Sequence, residues 1–276
     1  METLGEDPSL YNMKIYEVGC DEREEAYPLI PITKKDVSEG YLSKASYDLK
    51  PFNESEERLF DTMRDAEMLY LIAGMGGETG SWTTPICAKL AKLTSAFTIS
   101  LVAMPFDTEN RNRINFAEEA KYRVRENSDI LGCFSNSRLL RLNPNLPMTK
   151  AFEVMNSIIR LPMEDFNAVV TVEDIRYLKR FCSNAKEFHI GAGYGKGRDR
   201  GKNAAREALR SPWLDDLYDY STILTVVTSG MGYAEMEAQD ALEAIRDVAP
   251  NADIMWGLRK VPEIGDRAKV TLLAGK

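Results

Sequence analysis

Residues 68–93 read MLYLIAGMGGETGSWTTPICAKLAKL. An unbroken apolar run, Met68 to Ala73, leads into GMGGETGSW (74–82), and Ile86, Leu90 and Leu93 then recur at helical spacing. Strand, glycine loop, helix is a common way to build an anion cradle, because backbone N–H groups and the positive helix end converge on the loop. Two residues oppose that reading. Glu78 places a carboxylate in the middle of the loop, and Trp82 places the bulkiest side chain where the helix begins. The stretch is a phosphate site, a spoiled one, or a plain turn.

The same alternation continues outward. Leu59, Phe60, Met63 and Ala66 precede it at helical spacing. FTISLVA (97–103) reads as a second buried strand, 112–126 as a helix, and DILGCF (129–134) as a further strand. Strands alternating with helices predict parallel βαβ units. Upstream, KIYEVG (14–19) and PLIPIT (28–33) are short strand candidates, the second weakened by its prolines. Residues 38–55 are polar and read as loop. Downstream, NPNLPM (143–148) interrupts the pattern, and a helix follows from Thr149, whose hydroxyl suits an N-cap. Pro162 is expected to stop that helix. Beyond it the chain reads helix 172–182, strand 186–191, helix 198–210, strand 221–228, helix 234–247, and strands 252–257 and 268–274. The expectation is an α/β protein. It has a disordered tail (1–12), a Rossmann-like parallel-sheet domain (13–147), a connecting central helix (148–162) and a smaller α+β domain (163–276).

Composition narrows the function. The chain has 276 residues, 44% of them apolar, enough for one sizeable core or two smaller ones. A net charge of −8 argues against a general nucleic-acid binder. No apolar run approaches the ~20 residues of a membrane-spanning helix. The start, METLGEDPSLYN, lacks the order of a signal peptide. A cytoplasmic protein is therefore expected, with neither a transmembrane segment nor a nucleic-acid partner. Cys20, Cys87, Cys133 and Cys182 are scattered, match no zinc or redox spacing, and read as free thiols; no metal ligands are assigned. GAGYGKG (191–197) has the look of a dinucleotide fingerprint, but no acid on a following strand takes the ribose position, so structural glycines are the favoured reading. His189 is the only histidine and lies on an apolar strand. With no second histidine or serine partner it reads as structural, and no hydrolase triad is formed.

Landmarks in order resemble the tubulin/FtsZ family, and FtsZ more than tubulin. AEMLYLIAGMGGETGSWTTPI is similar to the family's strand and signature loop, G-G-G-T-G-[ST]-G followed by A-A-P, with Gly76, Gly77, Thr79, Gly80, Ser81 and Pro85 matching. MPFDTENRNRINFAEEA resembles P-F-x-F-E-G-x-x-R-x-x-F-A-E, and SDILGCFSNSRLL the segment ending N-D-x-L-L. AFEVMN (151–156) resembles the start of the central helix. HIGAGYGKGRDRGKNAAREALRSPWLD and ADIMWGLRKVPEIGDRAKVTLLAG resemble the family's second-domain glycine segment and terminal hairpin. The resemblance covers about 58–276.

It implies GTP or GDP on the first domain, where a bridging Mg²⁺ would offset the repulsion between Glu78 and phosphate, and head-to-tail assembly with itself or with homologous subunits. A neighbour's second domain completes hydrolysis. By position, the loop residues Gly76, Gly77, Thr79, Gly80 and Ser81 fall at the phosphates. Glu109 and Arg113 fall where the family contacts nucleotide, and Phe152 and Asn156 where the central helix stacks on and hydrogen-bonds guanine. An amide uses both donor and acceptor on a base edge. The competing reading makes Phe152 core and Asn156 a solvated helix residue. Asp174 falls at the last acid of the loop that polarises water in trans. Departures are concentrated on phosphate and catalysis. Acids replace glycines after the first strand (CDEREEAY), a second small-residue loop reads KASYDLKPFNESEE, and Glu78 and Trp82 interrupt the signature. Thr171 and Val169 stand where the family has an acid and an asparagine, and the central helix reads about two turns short. An alternative alignment places Asp165 and Asn167 in that loop. Glu78 either supplies the negative charge at the helix start itself, or points to solvent while Trp82 fills space. The expectation is a divergent FtsZ-like cell-division or cytoskeletal protein with weakened or lost GTP binding and hydrolysis. The alternative is a working filament-forming GTPase.

Overall fold

The computed structural model describes residues 13, 14, 16–19, 29–31, 54–185, 187–230, 232 and 234–276. The expected tail, the acidic CDEREEAY segment and most of 38–55 lie outside them. The chain divides into two compact units, Met1–Leu131 and Gly132–Lys276.

In the first unit, β1 (Glu17–Gly19) and β2 (Leu29–Pro31) pair in parallel. Helix α1 (Glu54–Met63) leads to β3 (Met68–Gly74), α2 (Glu78–Ala91), β4 (Phe97–Met104) and α3 (Arg111–Arg125). The two apolar runs of the sequence are neighbouring parallel strands, with Met68 opposite Phe97 and Gly74 opposite Ala103. Burial on both faces explains why β4 reads as continuous apolar sequence. Leu59 and Met63 of α1 close over Ile86, Cys87, Leu90 and Ala91 of α2, with Trp82 packed against the cluster. Burial among these groups pushes the Cys87 thiol up to about 12, so it is a packing residue and not a nucleophile.

β5 (Ile130–Ser135) straddles the division. In the second unit follow α4 (Asn136–Leu142), α5 (Met148–Val169), α6 (Ile175–Cys182), β6 (Phe188–Lys196), α7 (Arg200–Ala208), β7 (Thr222–Ser229), α8 (Ala234–Val248), β8 (Asp253–Lys260) and β9 (Arg267–Gly275). Its strands run in the order β5-β6-β9-β7-β8. β9 is antiparallel to both neighbours, while the outer pairs are parallel. This is the mixed sheet expected of an α+β unit.

Two expectations are corrected. Pro162 does not end the central helix: α5 continues to Val169 with the proline inside it. A mid-helix proline costs about 3 kcal/mol, but Met155, Ile159, Met163 and Phe166 are all buried along one stripe. Each contributes roughly 1.5–3 kcal/mol, so tertiary burial outweighs the local break, and the helix runs seven residues past the proline. Second, GAGYGKG is no loop. Gly191 to Lys196 belong to β6. A Cβ at Gly193 would lie 2.3 Å from Ala208 N, and one at Gly195 1.8 Å from Arg200 O. These glycines let α7 lie directly on the strand backbone.

Candidate functional site

The signature loop is built by its own bonds. Met75 N–H donates to Ala103 O (2.8 Å), tying the loop to the end of β4. Gly76 N–H donates to Ser81 Oγ (2.7 Å), and Ser81 N–H to Gly77 O (3.1 Å). Gly76 has φ +93°, and a Cβ there would come within 2.8 Å of Arg113 Cγ. At Gly80 a Cβ would lie 2.1 Å from Gly74 O. Neither position admits a side chain. Ser81 is fully buried, whereas Thr79 is exposed and its carbonyl accepts from the Thr83 hydroxyl.

Arg113 and Glu109 join this loop from the start of α3. Asn110 caps that helix by accepting from Asn112 N–H (2.8 Å). Glu109 Oε1 accepts from Phe106 N–H (2.8 Å), and its Oε2 lies 3.0 Å from Arg113 Nε. The structure thus brings Gly76, Ser81, Glu109 and Arg113 together. Being partly exposed, the Glu109–Arg113 pair contributes at most ~1 kcal/mol to stability; its effect is to hold the arginine stem over Gly76.

Glu78 is the exposed first residue of α2, with Gly77 as N-cap. The first N–H groups of a helix have no intrahelical partner, and the dipole there favours an anion. Trp82 is partly buried. Its ring stands edge-on to Phe116, with centroids 5.8 Å apart, and packs on the α1–α2 cluster. It therefore has a packing function of its own.

The remaining predicted residues belong to the second unit. Phe152 and Asn156 lie four residues apart on α5, so they share a face, and both are exposed. At 50% exposure Phe152 is not core. Asp174 ends a 3-10 turn, Val172–Asp174, just past α5. Its Oδ2 accepts from Thr171 N–H (2.8 Å) and Thr171 Oγ1 (2.7 Å), and these bonds hold its carboxyl below the usual range. Thr171, standing where the family has an acid, is the N-cap of this turn.

Asp165 and Asn167 lie inside α5, so the alternative alignment that placed them in the loop is wrong. Asp165 is fully buried instead. It accepts from Arg259 (2.9 Å) and Thr271 Oγ1 (2.6 Å), and pairs with Lys269 (2.8 Å). This cluster was missed from the sequence. Its available signal was an acid three residues after Pro162 and one before Phe166, on the apolar stripe of α5. His189 is buried, with Nδ1 2.7 Å from Tyr220 Oη and 3.4 Å from an Asp215 oxygen. Among the described residues no group of His, Cys, Asp and Glu could hold a metal ion, and no helix is long and apolar enough to cross a membrane.

Known proteins agree with this construction. Residues 29–144 match the model of the tubulin/FtsZ family, GTPase domain, and residues 187–276 that of the FtsZ family, C-terminal domain. The chain belongs to the tubulin/FtsZ family. It is 30% identical over 226 residues to cell division protein FtsZ 1 of Pyrococcus furiosus, covering 80% of this chain and 61% of that protein. For FtsZ 1 of Thermococcus kodakarensis the identity is 28%, with the same coverage. This FtsZ-like chain thus spans 61% of the length of those relatives. An empty FtsZ dimer from M. jannaschii superimposes with a TM-score of 0.74 at 27% identity, covering 81% of this chain and 67% of that one. A GTPγS-bound CetZ2 protofilament from Haloferax volcanii superimposes with 0.73 over 94% and 83%; at 17% identity it speaks for the fold alone.

Proposed function

We propose that this FtsZ-like chain serves a cell-division or cytoskeletal system in the cytoplasm, binds guanine nucleotide weakly, and hydrolyses it slowly or not at all. The observation that carries this reading is the exposed Glu78 carboxylate at the start of α2. The 76–81 segment keeps glycine at positions 76, 77 and 80, where backbone can approach a phosphate closely. Gly76, Gly77, Thr79, Gly80 and Ser81 would face them, Glu109 and Arg113 the adjoining part of the nucleotide, and Phe152 and Asn156 the base. A carboxylate ~4 Å from a phosphate charge costs about 4 kcal/mol at an effective dielectric of 20, roughly a thousandfold in affinity. Mg²⁺ arriving with the nucleotide would lessen that repulsion. Assembly is head to tail, with itself or with homologous subunits, and involves no nucleic acid.

Slow turnover is supported by the Thr171–Asp174 turn. Asp174, which the family resemblance puts at the last acid, has one oxygen engaged as a cap, and the resemblance puts Thr171 at the other acid's place. Losing a group that positions water costs ~10²–10⁴ in rate. One observation favours the second reading, an active GTPase with Asp174 acting in trans: Asp174 is exposed, and its Oδ1 has no hydrogen bond among the described residues. Phosphate release from the purified chain separates the two. We expect turnover far below that of an ordinary FtsZ and little changed by Asp174→Ala. Rapid release abolished by Asp174→Ala would establish the active GTPase.

A further inference from the structure

Helices α7 and α8 pack on one face of the second unit's sheet. Ala204, Ala205 and Ala208 of α7 share a single apolar cluster with Ala238, Ala241 and Ile245 of α8 and with inward residues of β7 and β9. The two helices nearly touch: a Cβ at Gly201 would lie 2.2 Å from Glu237 O. Arg200 and Glu237 pair across the contact, so those charges are spent internally.

The outer faces carry opposite charge. Lys202, Arg206 and Arg210 recur every fourth residue along α7 and the turn that follows it, which puts them on one side of the helix. Asp240, Glu243 and Asp247 recur at three and four along α8. None of these six side chains forms an ion pair among the described residues, and Arg206, Arg210, Glu243 and Asp247 are exposed. Three other charges lie on these helices outside the contact. Glu207 on α7 accepts from Tyr194 N–H, Glu235 on α8 pairs with Lys260, and Arg246 on α8 is exposed. Three unpaired cations thus lie beside three unpaired acids, about one interhelical distance, ~8–10 Å, apart.

We propose that this layer is a lateral docking surface for a second copy of the chain. A two-fold axis through it lays each copy's α7 cations on the other's α8 acids, so one surface is its own complement. Charge complementarity within a single patch selects this occupant: a uniformly acidic or basic partner would meet repulsion from half of it. The layer is small, two helices of nine and 15 residues. The contact therefore falls at the weak end of specific interfaces and is sensitive to salt. It is an isologous contact, unlike a head-to-tail one, and needs no nucleotide.

The test is sedimentation velocity of the full chain, without nucleotide, at about 50 mM and about 500 mM salt, where the Debye length falls several-fold. Self-association at low salt, weakened at least tenfold at high salt, is expected. Lys202→Glu with Arg206→Glu should be monomeric, and so should Asp240→Lys with Glu243→Lys. An equimolar mixture of the two variants should associate again, a result that misfolding cannot produce. Unchanged association of either variant, or a mixture that stays monomeric, overturns the proposal. So does a wild type that is monomeric at low salt. In that last case, binding to anionic phospholipid vesicles lost on Lys202→Glu with Arg206→Glu would assign the cations to a lipid surface instead.

Discussion

Gly77, the N-cap of α2, and Gly80, in its first turn, stand three residues apart and make opposite demands. A Cβ at Gly80 meets Gly74 O at 2.1 Å, while one at Gly77 meets nothing within 4 Å. Gly80→Ala must push the first turn of α2 away from the end of β3 and is expected to cost about 2–4 kcal/mol. Gly77→Ala loses only N-cap preference, about 1 kcal/mol or less. Urea unfolding of the two variants measures the difference. The need for glycine at such positions was legible in the sequence, because few other patterns put so many glycines between an apolar run and a helix. That Trp82 packs on Phe116 was not legible, since the two are 34 positions apart and only the α2–α3 packing brings them together.

Among elements, α5 shows most clearly where sequence reasoning stopped. Proline is a strong local signal, and it was outvoted by an apolar stripe whose burial depends on strands about a hundred residues later. Asp165 rides on that stripe and meets Arg259, Lys269 and Thr271, partners that no local pattern announces. One buried carboxylate holds two cations there, so removing it strands both. Asp165→Ala is expected to destabilise the chain by about 3–5 kcal/mol. Glu153→Ala, which removes an exposed helix-surface partner of Lys150, should cost ~0.5 kcal/mol. Chemical denaturation distinguishes the two. The strands β3 and β4, by contrast, were legible to within a residue, because each is a predominantly apolar run; β4 is buried along nearly its whole length, whereas β3 is only partly buried. Helix α4 was missed because at seven residues it is too short for periodicity to declare itself.

Across the whole molecule, acid stability tests how the end of β9 is held. Burial pushes the Asp215 carboxyl up, but hydrogen bonds from Lys276 and Arg138, with His189 nearby, prevail and hold it at about 2. Its folded value lies below the ordinary one, so its contribution is complete above about pH 4 and is lost as pH falls toward 2. Lowering the carboxyl that far corresponds to about 2.5 kcal/mol, and partial exposure reduces this to roughly 1–2 kcal/mol. Asp215→Asn should therefore be less stable than wild type by that amount at pH 7 and equal to it near pH 2, as measured by unfolding across pH. The central claim concerns Glu78, and calorimetric titration of wild type and Glu78→Gly with GTP and GDP, with and without Mg²⁺, tests it most directly. The account predicts weak binding by wild type. For the variant it predicts affinity at least tenfold higher, with a gain that shrinks as salt screens the charge. Tight Mg²⁺-dependent binding by wild type, weakened by Glu78→Gly, would contradict it and make Glu78 a helper of the nucleotide's metal.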